Sequence, residues 1–278
     1  MTPDPPAAER PSIAERASPH HRVHLVGLDG KPGVLVALPL AFSSPVRPDL
    51  IQRAVVAARS HHRQPYGTSP TAGNRHSVEW SGKGKGVART PRLMDSMRGA
   101  QAPNTVGGRP AHPPKVERIW EKKINRKERQ LAFASALAAT RESKLATGRG
   151  HTLPHAIHLP LVLEDPVEEI QRTHDARLLL ERLKLWEDVE RARSGTHLRA
   201  SGRARRRGRV RRTPRSLLVV TSGPGKALGF RNLAGVEVVP ARELATEDLA
   251  PGGSAGRLTL FSRAAVESLR ERLGEVAP

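Results

Sequence analysis

The stretch "SLLVVTSGPGKALGFRNLAGVEVV", residues 216–239, is the part of the sequence that decides the fold. It opens with a continuous apolar run, passes through a glycine-containing turn and a helical pattern at about 226–234, and closes with a second apolar run. Continuous apolar runs of this length predict strands that are buried on both faces. A strand, a helix and a second strand in this order predict two parallel neighbours. The stretch therefore predicts one unit of an α/β fold.

Similar patterns recur on both sides of this unit. Further apolar runs lie at 23–28 ("VHLVGL"), 33–39 ("GVLVALP"), 158–163 ("HLPLVL") and 257–261 ("RLTLF"), and helical patterns at about 48–62, 125–140, 172–185 and 263–273. The Asp29-Gly30 pair favours a tight hairpin turn between the first two runs. Asn125, followed three residues later by Glu128, predicts a capping box. We expect an α/β Rossmann-like three-layer sandwich with a largely parallel sheet, plus a long extended basic loop.

The positive charge of the chain is concentrated in two segments. The 278 residues carry a net charge of +20, of which residues 63–125 supply +8 and residues 191–215 supply +11. The other 190 residues hold 24 basic and 23 acidic side chains, the balance of an ordinary soluble protein. Because the excess is localised, it predicts a polyanionic partner rather than a generally basic surface.

The first basic segment has the composition of a long loop. Residues 81–115 contain six glycines, five prolines and seven lysines or arginines against a single acid. Ordering the backbone costs about 1–2 kcal/mol of conformational entropy per residue, and few apolar residues are present to offset this cost. The segment is therefore expected to stay mobile or to become ordered on a partner. RNA suits this chemistry, since Tyr66, Trp80 and Trp120 offer rings to unpaired bases. A solvated linker and DNA binding are the alternatives.

The second basic segment is richer in arginine. Residues 199–215 contain nine arginines among seventeen residues and no acid. The planar guanidinium suits bidentate phosphate contacts, and repulsion between like charges favours an extended chain. A nuclear-localisation signal is the alternative interpretation.

These segments define the expected domain organisation. Residues 1–21 are predicted to be a mobile N-terminal extension, and residues 22–278 a single α/β domain interrupted by an RNA-binding loop at 63–120 and a basic loop at 193–215. The candidate RNA-binding residues are Arg63, Tyr66, Arg75, Trp80, Lys83, Lys85, Arg89, Arg92, Arg98, Arg109, Lys115, Arg199, Arg203, Arg205, Arg206, Arg207, Arg209, Arg211, Arg212 and Arg215.

An enzyme is the main alternative to a nucleic-acid-binding protein. Gly223, Gly225 and Gly229 lie between a predicted strand and a predicted helix, where backbone amides can hold a phosphate. Their spacing is G-x-G-x-x-x-G, which favours a structural turn, and a nucleotide-binding RNA-modifying enzyme using this turn is kept as the alternative function. The carboxylates Glu164, Asp165, Glu168 and Glu169 follow a strand and are expected to face the positive end of a helix dipole. No catalytic residue is therefore assigned.

Other classes of protein are disfavoured. The chain has no cysteine, so a disulfide framework and thiolate metal sites are excluded, and a cytosolic location fits. The adjacent pairs His20-His21 and His61-His62 do not suit a shared metal. We expect no metal, no cofactor and no small-molecule substrate. The first residues do not resemble a secretory signal, and no apolar run reaches the length of a membrane span, so no membrane partner is expected.

Six segments resemble the ribosomal protein L four family of the large ribosomal subunit, in the form of its archaeal and eukaryotic branch. They are "PVRPDLIQRAV" (45–55), "GGRPAHPPK" (107–115), "KERQLAFASALAAT" (127–140), "RNLAGVEVV" (231–239), "TEDLAPGG" (246–253) and "GRLTLF" (256–261). The resemblance covers about residues 22–274. It implies a structural protein of the cytoplasmic ribosome that supports subunit assembly and translation, not an enzyme, with large-subunit ribosomal RNA and neighbouring ribosomal proteins as partners.

The resemblance also implies a role for the long loop. In this family an α/β domain lies on the outside of the large subunit, and a loop penetrates the ribosomal RNA so that its tip helps to line the peptide exit tunnel. Carried onto this sequence, the outward arm holds Trp80, Lys83, Lys85, Arg89 and Arg92, and the return arm holds Gly107, Gly108, Arg109 and Lys115. The tunnel-proximal tip is expected to contain Arg89, Arg92, Met94, Met97 and Arg98.

Overall fold

The computed structural model describes residues 22–154 and 157–273. Within them the strands are β1 (Arg22–Val26), β2 (Pro32–Ala37), β3 (Val78–Trp80), β4 (Pro91–Leu93), β5 (Leu161–Leu163), β6 (His197–Leu198), β7 (Arg211–Arg212), β8 (Leu218–Thr221), β9 (Glu237–Pro240) and β10 (Thr259–Ser262). The helices are α1 (Pro48–His61), α2 (Arg126–Ala139), α3 (Ser143–Gly148), α4 (Thr173–Arg182), α5 (Trp186–Ser194), α6 (Arg203–Arg206), α7 (Leu228–Arg231), α8 (Thr246–Leu249) and α9 (Arg263–Leu273). The expected N-terminal extension lies outside the described residues.

The chain divides into two compact units. One, here called the α/β unit, contains the described residues up to Ala58 and from Lys123 onward, and the other is Arg59–Lys122. The second unit contains almost all of the first basic segment.

The main sheet of the α/β unit has the strand order β2-β1-β5-β10-β8-β9. β1 and β2 pair antiparallel as a hairpin, whereas β1–β5, β5–β10, β10–β8 and β8–β9 are all parallel pairs. The sheet is therefore mixed and mostly parallel, which confirms the predicted α/β class.

Both faces of this sheet pack against apolar side chains. In β8 and the residue before it, Leu218 and Val220 belong to one core cluster while Leu217 and Val219 belong to another, as strand alternation requires. The first cluster includes side chains from α1, α2 and α9, and the second includes side chains from α4, α5 and α7. Helices therefore cover the central strands of the sheet on either side, whereas the side chains of the edge strand β2 are mostly exposed.

Two local predictions differ from the structure. Asn125 makes no side-chain cap on α2, and the predicted capping box is wrong because Glu128 instead accepts a hydrogen bond from Arg53 Nη1 at 3.0 Å. The helix predicted at about 226–234 is only the four-residue α7, because Ala227 has a left-handed φ of 53° and starts the helix late. A tertiary ion pair and a tight turn outweigh the local preferences at these two places.

Candidate nucleic-acid interface

The unit Arg59–Lys122 is closed at its base by contacts between its two ends. The backbone N–H of Lys122 donates to Ser60 Oγ at 2.8 Å, across 62 positions of sequence. Just beyond this bond, the guanidinium carbons of Arg118 and Arg63 lie 4.6 and 5.2 Å from the ring centroid of Trp120. Cations at this distance are attracted to the indole face. The ring of Trp120, proposed from sequence to stack on bases, therefore already contacts two guanidinium groups of its own segment.

The outward and return arms of this unit run side by side. The N–H of Thr68 donates to Pro114 O at 3.2 Å, and Gln101 Nε2 donates to Asn74 O at 3.1 Å. At Gly73, whose φ is +79°, a Cβ atom would lie 2.6 Å from the Cα of Arg109. Only glycine combines that φ with so close an approach. The two arms are thus held together by backbone packing rather than by an apolar core.

Further along, the arms form a short antiparallel ladder. β3 pairs with β4 so that Val78 lies opposite Leu93 and Trp80 opposite Pro91. Trp80 keeps 66% of its surface exposed. The turn between the strands carries Lys83 and Lys85, both exposed and separated by glycines. This geometry presents an aromatic ring and two ammonium groups to solvent on one short hairpin.

The predicted tip is ordered by one of the predicted RNA-binding arginines. Arg92 Nη1 donates to Met97 O at 2.8 Å, and its Nη2 donates to Ala88 O at 3.4 Å. These bonds hold a turn in which Met97 has a φ of 53°. The side chains of Met94 and Met97 remain more than half exposed. Arg92 therefore stabilises the tip by bonding to its backbone, while Arg89 and Arg98 are exposed.

The second basic segment forms a small hairpin on the α/β unit. β6 and β7 pair antiparallel, and Arg199 N donates to Val210 O at 2.9 Å. Between them lies the single turn α6, and Arg205 Nη1 donates to Ala200 O at 2.8 Å and to Arg199 O at 3.1 Å. Apart from the half-buried Arg199, the remaining arginines of the hairpin are exposed, which suits contacts with phosphate groups.

The return end of this hairpin is anchored to a buried carboxylate. Asp188 on α5 accepts hydrogen bonds from Ser216 Oγ at 2.6 Å, His151 Nδ1 at 3.1 Å and Arg191 Nε at 3.0 Å. Burial alone would raise the pKa of Asp188, but the bonds from His151, Arg191 and Ser216 outweigh it and lower the pKa to about 2. Ser216 directly follows the last arginine of the segment, so this carboxylate fixes the position where the basic segment rejoins the sheet.

The predicted RNA-binding residues are mostly exposed and have few acidic neighbours. All of them are exposed except Arg92 and Arg199, which are half-buried. Among them, and within residues 22–154 and 157–273, Arg215 alone has a carboxylate oxygen within 4.0 Å, that of Glu237. By contrast, arginines on the helices of the α/β unit are commonly paired, as in Arg53 with Glu128 and Arg177 with Glu181. Apart from that of Arg215, the charges of the predicted RNA-binding residues are therefore not neutralised from within the described protein.

Sequence reasoning missed two basic side chains at these surfaces. Arg118 lies over the ring of Trp120, and the signal for it was its position two residues before an aromatic residue in the basic segment. Arg193 is exposed on the last turn of α5, seven residues after Trp186 and hence on the same helical face. Neither belongs to a run of arginines, which is why composition did not single them out.

The glycine turn proposed for nucleotide binding is occupied by the protein's own carboxylate. Glu168 accepts hydrogen bonds from the backbone N–H of Ser222 at 2.6 Å, from Lys226 Nζ at 2.6 Å and from Ser262 Oγ at 2.5 Å. Burial would raise the pKa of Glu168, but these bonds lower it overall, so the group stays ionised. The negative charge of Glu168 lies at the backbone amide of Ser222, which a bound phosphate would need as a donor. This geometry disfavours the enzyme alternative.

The other predicted acidic residue with a defined contact is Asp165. Its Oδ1 accepts a hydrogen bond from Ala264 N, in the first turn of α9, at 2.8 Å. For Asp165 this agrees with the expectation that the carboxylates face the positive end of a helix, whereas Glu168 binds the turn after β8 instead. Within the described part of the chain, no three histidine or acidic side chains are grouped as metal ligands would be. In the same residues, the helices are all too short or too polar to cross a bilayer.

Comparison with known proteins agrees with the resemblance seen in the sequence. The sequence model of the Ribosomal protein L4/L1 family matches residues 36–272. The large ribosomal subunit protein uL4 of Methanopyrus kandleri is 46% identical over 254 residues, which are 89% of this chain and 97% of that protein. The uL4 proteins of Pyrobaculum aerophilum and Halobacterium salinarum are each 45% identical, over 256 and 246 residues. These alignments cover 91% and 88% of this chain, and 90% and 97% of the two relatives.

These three relatives are named as ribosomal proteins and not as enzymes, which confirms the prediction that the chain is not an enzyme. The matched region spans both units, including the whole of the first basic segment. On this evidence the chain belongs to the ribosomal protein L4/L1 family.

Proposed function

We propose that this protein is a structural constituent of the large ribosomal subunit and binds large-subunit ribosomal RNA through its two basic segments. The observation that carries the proposal is the row of exposed arginines and lysines whose charge is not neutralised by carboxylates of the described chain. Such charges release counterions when they contact phosphates, and this release drives RNA binding. The names of the relatives support the large subunit as the place of action.

In this proposal the loop at 63–120 penetrates the RNA, and its tip helps to line the peptide exit tunnel. The two arms lie in backbone contact and are held by glycine packing, so they form a slender double strand with basic side chains on its outside. The exposed Met94 and Met97 are then the apolar groups offered at the tunnel wall. The proposed partners are ribosomal RNA and neighbouring ribosomal proteins, and the proposed location is the cytoplasmic ribosome.

The α/β unit serves as the outer anchor of the loop, in a Rossmann-like three-layer arrangement that the two core clusters favour. The proposed contribution to subunit assembly and translation follows from this anchoring. A protein fixed at one end by a folded unit loses less entropy when its loop becomes ordered on RNA.

The proposal is tested by sedimenting a native lysate through a high-salt gradient and measuring the protein per large subunit. One copy per large subunit that survives the wash is expected. Protein found mainly in the light fractions would refute a structural role. For the purified protein, log affinity for ribosomal RNA against log salt should have a slope of about −7 to −9 if about ten phosphates are contacted. A slope near zero contradicts the electrostatic account.

A deletion separates the role of the loop from that of the α/β unit. Removing residues 78–112 should leave the melting transition of the α/β unit in place but abolish stable incorporation into large subunits. Normal incorporation of the deleted protein would show that the loop is not needed for the proposed binding.

A further inference from the structure

The α/β unit contains a groove of about 660 Å³ beside the second basic segment. Three elements line it: the helix α5, the chain that leads from β7 into β8, and the turn that precedes β9. Pockets that hold small ligands have volumes of about 300–1,000 Å³, so the groove has room for one nucleotide.

The first wall is a single face of α5. Trp186, Val189, Glu190 and Arg193 have the spacing of one helical stripe, and all four line the groove. Trp186 Nε1 donates to Glu190 Oε1 at 2.7 Å, so the carboxylate of Glu190 is engaged with the indole. Arg193 is exposed and has no carboxylate partner in the described residues. The α5 side of the groove therefore combines the apolar surface of Trp186 and Val189 with the guanidinium group of Arg193, which is not neutralised.

The second wall comes from strand alternation. Arg211, Thr213 and Arg215 are separated by two positions each, so they lie on one side of the extended chain, and all three line the groove. Pro214 packs against Gly195, where a Cβ atom would lie 2.9 Å from the Pro214 Cγ. Arg215 is paired with Glu237, whereas Arg211 has no carboxylate partner within the part of the chain that the structure describes.

The third wall is the turn at 232–236. Leu233 and Ala234 are half-buried and offer apolar surface, while Asn232 is exposed and offers an amide that can both donate and accept hydrogen bonds. Gly235 has a φ of +74°, and any side chain there would collide with Pro214 O and Ser216 N. The turn is therefore packed directly on the anchored end of the basic segment, which fixes the distance between the walls.

We propose that this groove receives one unstacked nucleotide of the large-subunit ribosomal RNA, an inference that rests on the proposed function. The base lies against the apolar surface of α5 and the 232–236 turn, and the phosphate is bound by Arg193 and Arg211. Single-stranded RNA offers unstacked bases to apolar surfaces, whereas a duplex presents only phosphates and the shallow minor groove. The groove offers two guanidinium groups without acidic partners, an amide and apolar walls. This combination matches a nucleotide better than it matches a duplex.

Trp186 provides a direct test because it lines the groove and the chain has only two other tryptophans. In the full-length protein with Trp80→Phe and Trp120→Phe, emission from Trp186 is recorded during titration with a short single-stranded oligouridylate and with a short RNA duplex of equal charge. Quenching is expected with the single strand and not with the duplex.

Variants distinguish the groove from general electrostatics. Arg211→Gln removes a groove arginine, and Arg242→Gln makes the same change of charge at an exposed position of the α/β unit, outside the groove lining and outside the basic segments. Arg211→Gln should lower the affinity for oligouridylate about tenfold, the effect of losing a charge-assisted hydrogen bond. Arg242→Gln should lower it by no more than about twofold, because it affects only the general attraction. Asn232→Ala, at an exposed position, is a second groove variant and should also lower the affinity for the single strand alone.

The outcomes separate this inference from the proposed function. Equal losses for Arg211→Gln and Arg242→Gln, or a Trp186 signal that is silent or the same for both RNAs, overturn the groove inference. If such a protein still joins large subunits at one copy each, the proposed function stands and the inference alone fails. A wild-type protein that binds neither ribosomal RNA nor large subunits refutes both.

Discussion

The substitution Asp188→Asn tests how the second basic segment is anchored. Asp188 is fully buried and accepts hydrogen bonds from Ser216, His151 and Arg191, which lower its pKa from the usual 3.8 to about 2. One pKa unit corresponds to about 1.4 kcal/mol. The ionised carboxylate therefore contributes about 2–3 kcal/mol to the free energy of unfolding at neutral pH. Asparagine has the same shape, but it cannot accept all of these donors.

The sign of the pH dependence follows from the lowered pKa. Because the folded protein holds the carboxylate ionised more strongly than the unfolded chain does, the stabilisation is present above the unfolded pKa near 4 and is lost as the pH falls toward about 2. We therefore expect Asp188→Asn to lower the free energy of unfolding by about 2–3 kcal/mol at pH 7. The gap between wild type and variant should narrow steadily as the pH is lowered from 4 to 2.

The assay is urea denaturation of the full-length protein, followed by circular dichroism at several pH values. Asp29→Asn is the matched control, because Asp29 is exposed and asparagine before glycine suits the same turn. It should change the free energy of unfolding by no more than about 0.5 kcal/mol. A wild-type-minus-variant difference for Asp188→Asn that stays constant from pH 7 to pH 2 would refute the account of an ionised anchor.

Three further changes probe the segments and the core. Gly73→Ala should separate the two arms and speed limited proteolysis of the unit Arg59–Lys122; Gly82→Ala, which also has a positive φ but has no atom within 4 Å of its Cβ position, should speed it much less. Arg257→Met removes a fully buried guanidinium that donates to backbone carbonyls, and it should lower the free energy of unfolding, measured by urea denaturation, by about 3 kcal/mol. A change under about 1 kcal/mol would show that the cost of burying the charge already offsets those bonds. The double change Lys83→Gln with Lys85→Gln should reduce the salt slope of RNA binding by about 2, or about 1 for each phosphate that is no longer neutralised; an unchanged slope would place both side chains away from phosphate.

The α/β class was predictable because the spacing of apolar residues along short stretches of the sequence indicates it. The apolar runs around Leu218, Val238 and Leu260 are short and continuous, and each became a strand of the main sheet. The helix α9 begins at Arg263, where its pattern predicts. The family was also predictable, because its motifs are spread over both units. The RNA-binding role of each basic residue stays a prediction, since composition indicates a polyanionic partner without saying which side chains meet it.

What the sequence did not reveal depends on contacts between distant positions. The close approach of Gly73 to Arg109 and the hydrogen bonds that Ser216 and His151 donate to Asp188 join residues 28 or more positions apart. Periodicity carries no information about such pairs. The same limit explains Asn125, whose capping box is lost because Glu128 bonds to Arg53, a residue of another helix. It also explains Glu168, which looks like one of four similar acids but is the one that fills the turn after β8.

The bond between Lys122 and Ser60 has a consequence for the order of events in assembly. Both ends of the unit Arg59–Lys122 continue into the α/β unit, so the unit has no end that can be threaded through a finished opening. Anything that comes to surround its two arms must either close after the arms have arrived or leave a gap wide enough for both arms at once. An RNA that encloses this segment more narrowly than the width of the two arms is therefore expected to complete its folding around the protein, and a large subunit assembled without the protein should accept it late only after part of that RNA has reopened.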